Sequence, residues 1–205
     1  MCLRGILLVN TDIRAQHMPS SLTRTGQFIR PDAVLRDAGI REGMHVVHFG
    51  CGPGFYVIPA AKDVGERGRV VAIDIRTPAL DEVAQRVRME QLENVDVLRA
   101  DLTAPRGSQL PDAWADLVIL ANILHQSDPR ALIAEAARIV RPGEGRVLMV
   151  EWELVHVPMG PPVEHRVAPD TILAAARPVQ LTLLRRWKPS SFHFAMLFAK
   201  AVEEG

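Results

Sequence analysis

The sequence predicts an α/β fold: a mostly parallel sheet with helices on both faces. Three observations predict it. Five short apolar runs alternate with helical segments, the connections between them are brief, and two more strand runs close the chain with only a few residues between them. Strands that are apolar throughout, rather than alternating, belong to sheets covered on both sides, which favours parallel strands with right-handed helical crossovers.

The elements follow in order. Residues 1–30 have no clear period and contain Met18-Pro19-Ser20-Ser21, a loop signal, so they read as a peripheral arm; residues 31–205 read as one domain. Pro31 opens a short helical pattern, Asp32 to Ala38, that Gly39 stops. Met44 to Phe49 is the first strand, and Phe55 to Lys62 reads as helix. Arg69 to Asp74 is the second strand. Pro78 to Leu92 places Leu80, Val83, Ala84 and Val87 on one helical face. Val95 to Ala100 and Asp116 to Ala121 are the third and fourth strands. Asp128 caps a helix that begins at Pro129 and runs to Val140, and Arg146 to Glu151 is the fifth strand. Pro169 to Ala176 is a last helical pattern. Leu181 to Trp187 and Phe192 to Ala199 are separated only by Lys188-Pro189-Ser190-Ser191, too short for a parallel crossover. One strand at that edge therefore runs antiparallel to the rest.

Composition narrows the function. The chain has 205 residues, and Lys and Arg balance Asp and Glu at 24 each. A zero net charge gives no basic excess for nucleic acid. No stretch approaches the roughly 20 apolar residues of a membrane span, and the start, Met1 to Val9, lacks the long apolar run of a secretory leader. The two cysteines, Cys2 and Cys51, suggest neither a disulfide framework nor a metal site, and a cytoplasmic setting is expected.

The strongest signal is Gly50-Cys51-Gly52-Pro53-Gly54-Phe55, between a strand and a helix. Glycines there let a ligand approach the backbone, and a helix start offers N–H donors to a carboxylate or phosphate. Asp74 ends the second strand about 20 residues on, where doubly wound folds hold a ribose diol. Asp101 ends the third strand and can accept from an adenine amino group, with Ile75 and Leu102 against the ring faces. The dinucleotide pattern G-x-G-x-x-G requires glycine where Phe55 stands, which disfavours NAD.

These runs together resemble the class I S-adenosylmethionine-dependent methyltransferases. Val46 to Gly54 resembles their first motif, V-L-D-x-G-C-G-x-G; Val71-Ala72-Ile73-Asp74 resembles their ribose-binding strand end, and Asp101-Leu102 their adenine contact. Ala121-Asn122-Ile123-Leu124-His125 resembles the segment after strand four, and Ile139 to Gly143 the turn before strand five. The nearest branch is that of the ubiquinone and menaquinone C-methyltransferases. The resemblance implies a Rossmann-like seven-stranded sheet of order 3-2-1-4-5-7-6 with strand seven antiparallel. It implies S-adenosyl-L-methionine as cofactor and methyl transfer to a small-molecule acceptor. Gly50, Cys51, Gly52, Pro53, Gly54, Phe55, Asp74, Ile75, Asp101, Leu102, Ala121 and Asn122 become candidate cofactor residues, and His125, at the open end of the sheet, the candidate base. No metal is expected.

One position departs from the family. His48 stands where its members carry an acid that organises the methionine end of the cofactor. A tolerated substitution and a weakened or inactive cofactor-binding protein are both consistent with that change, and a NAD-dependent oxidoreductase is the remote alternative. The long segment Glu153 to Arg166 reads as a binding loop, with Trp152 at its root and Arg166 expected in an ion pair or on a substrate anion.

Overall fold

A computed structural model describes residues 29–202. The arm expected over residues 1–30, with Cys2, lies outside the described residues except for Ile29 and Arg30. The chain runs α1 (Pro31–Asp37), β1 (His45–Phe49), α2 (Val57–Val64), β2 (Arg69–Asp74), α3 (Thr77–Met89), β3 (Val95–Arg99), β4 (Leu117–Ala121), α4 (Pro129–Ile139), β5 (Arg146–Trp152), α5 (Pro169–Ala176), β6 (Leu181–Ser190) and β7 (His193–Lys200). Single turns of 3-10 helix lie at Leu124–Gln126, Val163–His165 and Arg177–Val179.

The seven strands form one sheet in the order β3-β2-β1-β4-β5-β7-β6. β1, β2, β3, β4 and β5 pair in parallel, and β7 is antiparallel to both β5 and β6. The expected order and antiparallel strand are both present. The antiparallel strand lies inside the sheet, with β6 as the edge.

Each strand sends side chains to both faces, and both faces are apolar. Val47, Phe49, Val71 and Ile73 meet Leu132, Ile133 and Ala136 of α4 on one side. Val46, Val70, Ala72 and Ile119 meet Val57, Ala60 and Val83 of α2 and α3 on the other. Each such aliphatic side chain contributes about 1.5–3 kcal/mol on burial, enough to hold the parallel strands in register. α4 begins as expected: the Asp128 side chain accepts the Arg130 N–H at 3.0 Å, with Pro129 at the first helical position.

Two details differ from the sequence reading. β3 is only half-buried, because it is an edge strand with a neighbour on one side. β6 extends past Trp187 to Ser190 and includes Pro189. A proline that reads as a strand breaker is tolerated there because an edge strand leaves one N–H without a ladder partner. The pairing shifts register between Trp187 and Ser190, leaving Ser191 and Phe192 as the turn. Among the described residues no helix is long and apolar enough to cross a membrane.

Candidate cofactor and acceptor site

The loop Gly50–Gly54 leaves the carboxyl end of β1, the end at which open α/β sheets bind ligands. Gly50 has φ +61°, and a Cβ there would stand 2.1 Å from Cδ1 of Ile123. A larger residue there is strained by the backbone and requires Ile123 to shift. The Gly52 N–H donates to Oδ2 of Asp74 at 2.9 Å, and the Cys51 N–H to the Ile73 carbonyl at 2.9 Å. From α3, Arg86 donates to the Pro53 carbonyl at 2.7 Å and lies over the Phe55 ring. The loop is thus held from below and from the side. The free donors expected at the start of α2 are partly consumed, since the Val57 and Ile58 N–H groups both turn back to the Gly54 carbonyl. The Cys51 thiol is pushed up to about 12 by burial, with the Asp74 charge adding to it, so it has no nucleophilic character at neutral pH.

Two cavities flank this loop. The first, about 240 Å³, is bounded by His48, the loop, Phe55, Tyr56, Asn122, His125 and Trp152. The second, about 310 Å³, is bounded by Asp74, Ile75, Asp101, Leu102 and Ile123. Gly50, Arg76 and Gln126 line both, so the two open onto a common boundary.

In the second cavity Ile75 is exposed and Leu102 buried. Asp101 accepts both the N–H of Thr103 (2.9 Å) and its hydroxyl (2.6 Å) through Oδ1. Its other oxygen has no hydrogen bond among the described residues. Asp74 is more heavily engaged. Besides Gly52, it accepts the Arg76 N–H at 2.9 Å and the Arg76 guanidinium at 3.2 and 3.4 Å. Burial pushes its carboxyl up, but these bonds together outweigh burial and hold it below the usual carboxylate range.

In the first cavity four buried polar atoms are unpaired. Both ring nitrogens of His48, the Tyr56 hydroxyl and Oδ1 of Asn122 are buried without a hydrogen bond. Burial lowers the His48 pKa to about 4, against a weaker opposing pull from Asp74. The imidazole is therefore neutral at pH 7 and sets no positive charge in the site, and its two nitrogens are unused. Asn122 follows β4 with φ +54°, a left-handed conformation that asparagine tolerates. Its Nδ2 lies 3.4 Å from Nε2 of His193, whose Nδ1 lies 3.0 Å from the Ser190 hydroxyl. Burial, helped by Arg166, lowers His193 to about 4 as well.

His125 sits on the 3-10 turn after β4, with its side chain 14% exposed. Its Nδ1 lies 3.3 Å from Oε2 of Glu151 on β5, and Oε1 of the same carboxylate accepts the Leu124 N–H at 2.7 Å. Glu151 is fully buried. The loop after β5 folds back over Trp152: a Cβ on Gly160 would stand 2.7 Å from the indole, at φ +75°, and Gly160 and Pro161 reach the first cavity. Arg166 holds this loop. It donates to the carbonyls of Glu153, Val155, Met159 and Pro161 and stacks over Trp152. No carboxylate among the described residues forms the expected ion pair with it; its hydrogen-bond acceptors are all backbone carbonyls. His156, His165 and Glu164 belong to no cluster, since among the described residues no three His, Cys, Asp or Glu side chains are placed to hold a metal.

Every candidate cofactor residue except Gly54, together with His125, His48 and Trp152, lines one of the two cavities; Gly54 turns the loop against Val83 of α3, and Arg166 lines neither cavity. The reading missed Arg76, Tyr56, Gln126 and Glu151. Arg76 had a signal in its place beside Asp74. Glu151 had none, because only the pairing of β4 with β5 brings it to His125.

A methyltransferase domain family matches residues 46–143. The chain is 31% identical over 160 residues to the nocamycin O-methyltransferase of Saccharothrix syringae, covering 72% of this chain and 55% of the relative. It is 28% identical over 129 residues to the demethylmenaquinone methyltransferase of Staphylococcus aureus, covering 62% and 50%. It thus spans only about half the length of the curated relatives it matches. A crystal structure of an S-adenosylmethionine-dependent methyltransferase from Aquifex aeolicus superposes with a TM-score of 0.78 at 26% identity, covering 88% of this chain and 97% of that one. Strand order, glycine loop and relatives agree in making the chain similar to the S-adenosylmethionine-dependent methyltransferases.

Proposed function

We propose that the chain transfers the methyl group of S-adenosylmethionine to a small-molecule acceptor held in the first cavity. The observation that carries this reading is the pair of cavities meeting at Gly50, one bounded by the carboxylates Asp74 and Asp101, the other by unpaired neutral polar groups. The cofactor fits that division. Its nucleoside suits the second cavity: Asp74 for the ribose diol once Arg76 withdraws, the unused oxygen of Asp101 for the adenine amino group, and Ile75 and Leu102 for the ring. Its amino-acid end suits the backbone of Gly50 to Gly54, Phe55, Ala121 and Asn122, beside the unpaired His48 and Tyr56. A neutral imidazole accepts a hydrogen bond from an ammonium without repelling it, so His48 is compatible with binding at neutral pH and supplies less attraction than an acid would.

When bound, the cofactor supplies an electrophilic methyl on a sulfonium whose departure leaves a neutral thioether. The protein then has no new charge to stabilise on the leaving group, and positioning of the acceptor carries most of the acceleration. His125 faces the acceptor as the base. The zero net charge favours a small molecule over nucleic acid, and two cysteines without a disulfide framework suit a cytoplasmic setting.

Calorimetry with S-adenosylmethionine and S-adenosylhomocysteine tests the reading. Saturable binding that is lost in Gly50→Ala supports it, and absence of binding ends it. Binding without turnover on any acceptor favours the alternative of a cofactor-binding protein that has lost catalysis.

A further inference from the structure

The Glu151 side chain is fully buried, and no lysine or arginine among the described residues pairs with it. Taking a carboxylate out of water is costly unless its lone pairs are used. Its two uses are the Leu124 N–H and Nδ1 of His125. Leu124 and His125 are successive residues of one short turn, so a single carboxylate fixes both the backbone and the ring. A carboxylate is only an acceptor, so the proton of the neutral imidazole must lie on Nδ1. That leaves Nε2 on the opposite edge of the ring with its lone pair free. Among the described residues only Glu151 hydrogen-bonds the ring, and His125 lines the first cavity.

We infer that Glu151 is a positioning residue that makes His125 a general base, and that the methyl acceptor is therefore a hydroxyl on a flat apolar body, a phenol or enol. The inference rests on the methyltransferase reading above. An amine attacks through a lone pair it already has and sheds its proton afterwards; a hydroxyl is a poor nucleophile until its proton leaves. The wall supplied by Phe55, Tyr56, Trp152 and Pro161 suits a planar ring. In the reaction the hydroxyl oxygen forms the new O–C bond as the C–S bond breaks. The C–S electron pair stays on sulfur, the hydroxyl proton passes to Nε2 of His125, and Glu151 faces the resulting imidazolium.

The test uses the full chain saturated with S-adenosylhomocysteine, with binding measured first, so that loss of the cofactor reading is recognised separately. Nitrogen-15 spectra of the His125 ring then report the tautomer. The wild type is expected to carry its proton on Nδ1. In Glu151→Gln the amide NH₂ faces the ring while its carbonyl keeps the Leu124 N–H, and the proton moves to Nε2. An unchanged tautomer in a variant that still binds S-adenosylhomocysteine overturns the positioning role. With S-adenosylmethionine, 2-naphthol, 4-nitrophenol and 4-nitroaniline serve as probes. Glu151→Gln and His125→Asn are expected to lose about 100-fold in kcat on 2-naphthol, and far less on 4-nitrophenol, which ionises near neutral pH. Equal losses on both phenols overturn the base. Turnover of 4-nitroaniline alone, a product methylated on carbon, or no turnover of either phenol overturns the hydroxyl acceptor.

Discussion

The Arg76 guanidinium lies on the Asp74 carboxylate, with Nε 3.2 Å from Oδ1 and Nη2 3.4 Å from Oδ2. The Asp74 side chain is 5% exposed and that of Arg76 57%. A ribose diol reaches Asp74 only if the guanidinium swings away. Because the arginine is mostly in solvent, releasing it costs at most about 1 kcal/mol. Arg76→Met is accordingly expected to leave S-adenosylhomocysteine affinity unchanged or to tighten it by up to about five-fold. Asp74→Ala removes the diol acceptor and strands the Gly52 N–H, and is expected to weaken binding by about 100-fold or more. Calorimetry distinguishes them. A ten-fold weakening in Arg76→Met would mean that Arg76 grips the cofactor instead of covering its site.

The two buried histidines make stability pH-dependent. His48 and His193 each have a folded pKa of about 4 against 6.5 in the reference state. Between those values the unfolded chain binds the extra protons, so stability rises with pH. The contribution is fully present above pH 6.5 and is lost as pH falls through 4. From pH 7.5 to pH 5 each histidine is expected to cost about 2 kcal/mol. Urea titrations at the two pH values measure the loss, and His193→Gln is expected to remove about half of it. A variant with the wild-type slope would mean that His193 opens to water before it titrates.

What was legible in the sequence was whatever depends on neighbours along the chain. Asp128 with Pro129 marks the start of α4 because a cap needs only the next few residues. The glycine loop is recognisable because its strand, turn and helix are contiguous, and Asp74 and Asp101 because strand ends point to one edge of a parallel sheet. The Glu151–His125 contact spans 26 positions and exists because Ala121 pairs with Val150; a one-residue slip would turn Glu151 to the other face. Arg166 was misread for a related reason. An arginine in such a loop suggests an ion pair, yet a loop folded back on itself concentrates enough carbonyls to satisfy one.

Gly50 combines a left-handed backbone with a crowded neighbour. Alanine there meets Ile123 at 2.1 Å in a backbone with φ +61°. The left-handed conformation alone costs about 1–2 kcal/mol for a residue with a Cβ, and overpacking adds about 1–3 kcal/mol. Gly50→Ala is expected to lower the melting temperature and to abolish the further rise that S-adenosylhomocysteine gives the wild type. Gly50→Ala/Ile123→Ala relieves the clash and leaves the backbone cost, so it should recover part of the stability. Equal melting temperatures for the single and double variants would show that Ile123 moves aside freely.

Arg166 holds the loop over the first cavity. Its guanidinium satisfies four carbonyls between Glu153 and Pro161 and stacks on Trp152. No other side chain offers five donors in a planar fork, so lysine is not a substitute. Arg166→Lys and Arg166→Ala are both expected to destabilise the fold by about 2–3 kcal/mol and to raise amide hydrogen exchange over residues 153–166. Because Asp74 and Asp101 lie in the other cavity, S-adenosylhomocysteine affinity should change by less than about three-fold, while the KM for the acceptor rises. Exchange that is raised along the whole sheet, with cofactor affinity lost in step, would show that Arg166 supports the domain as a whole and not the acceptor loop.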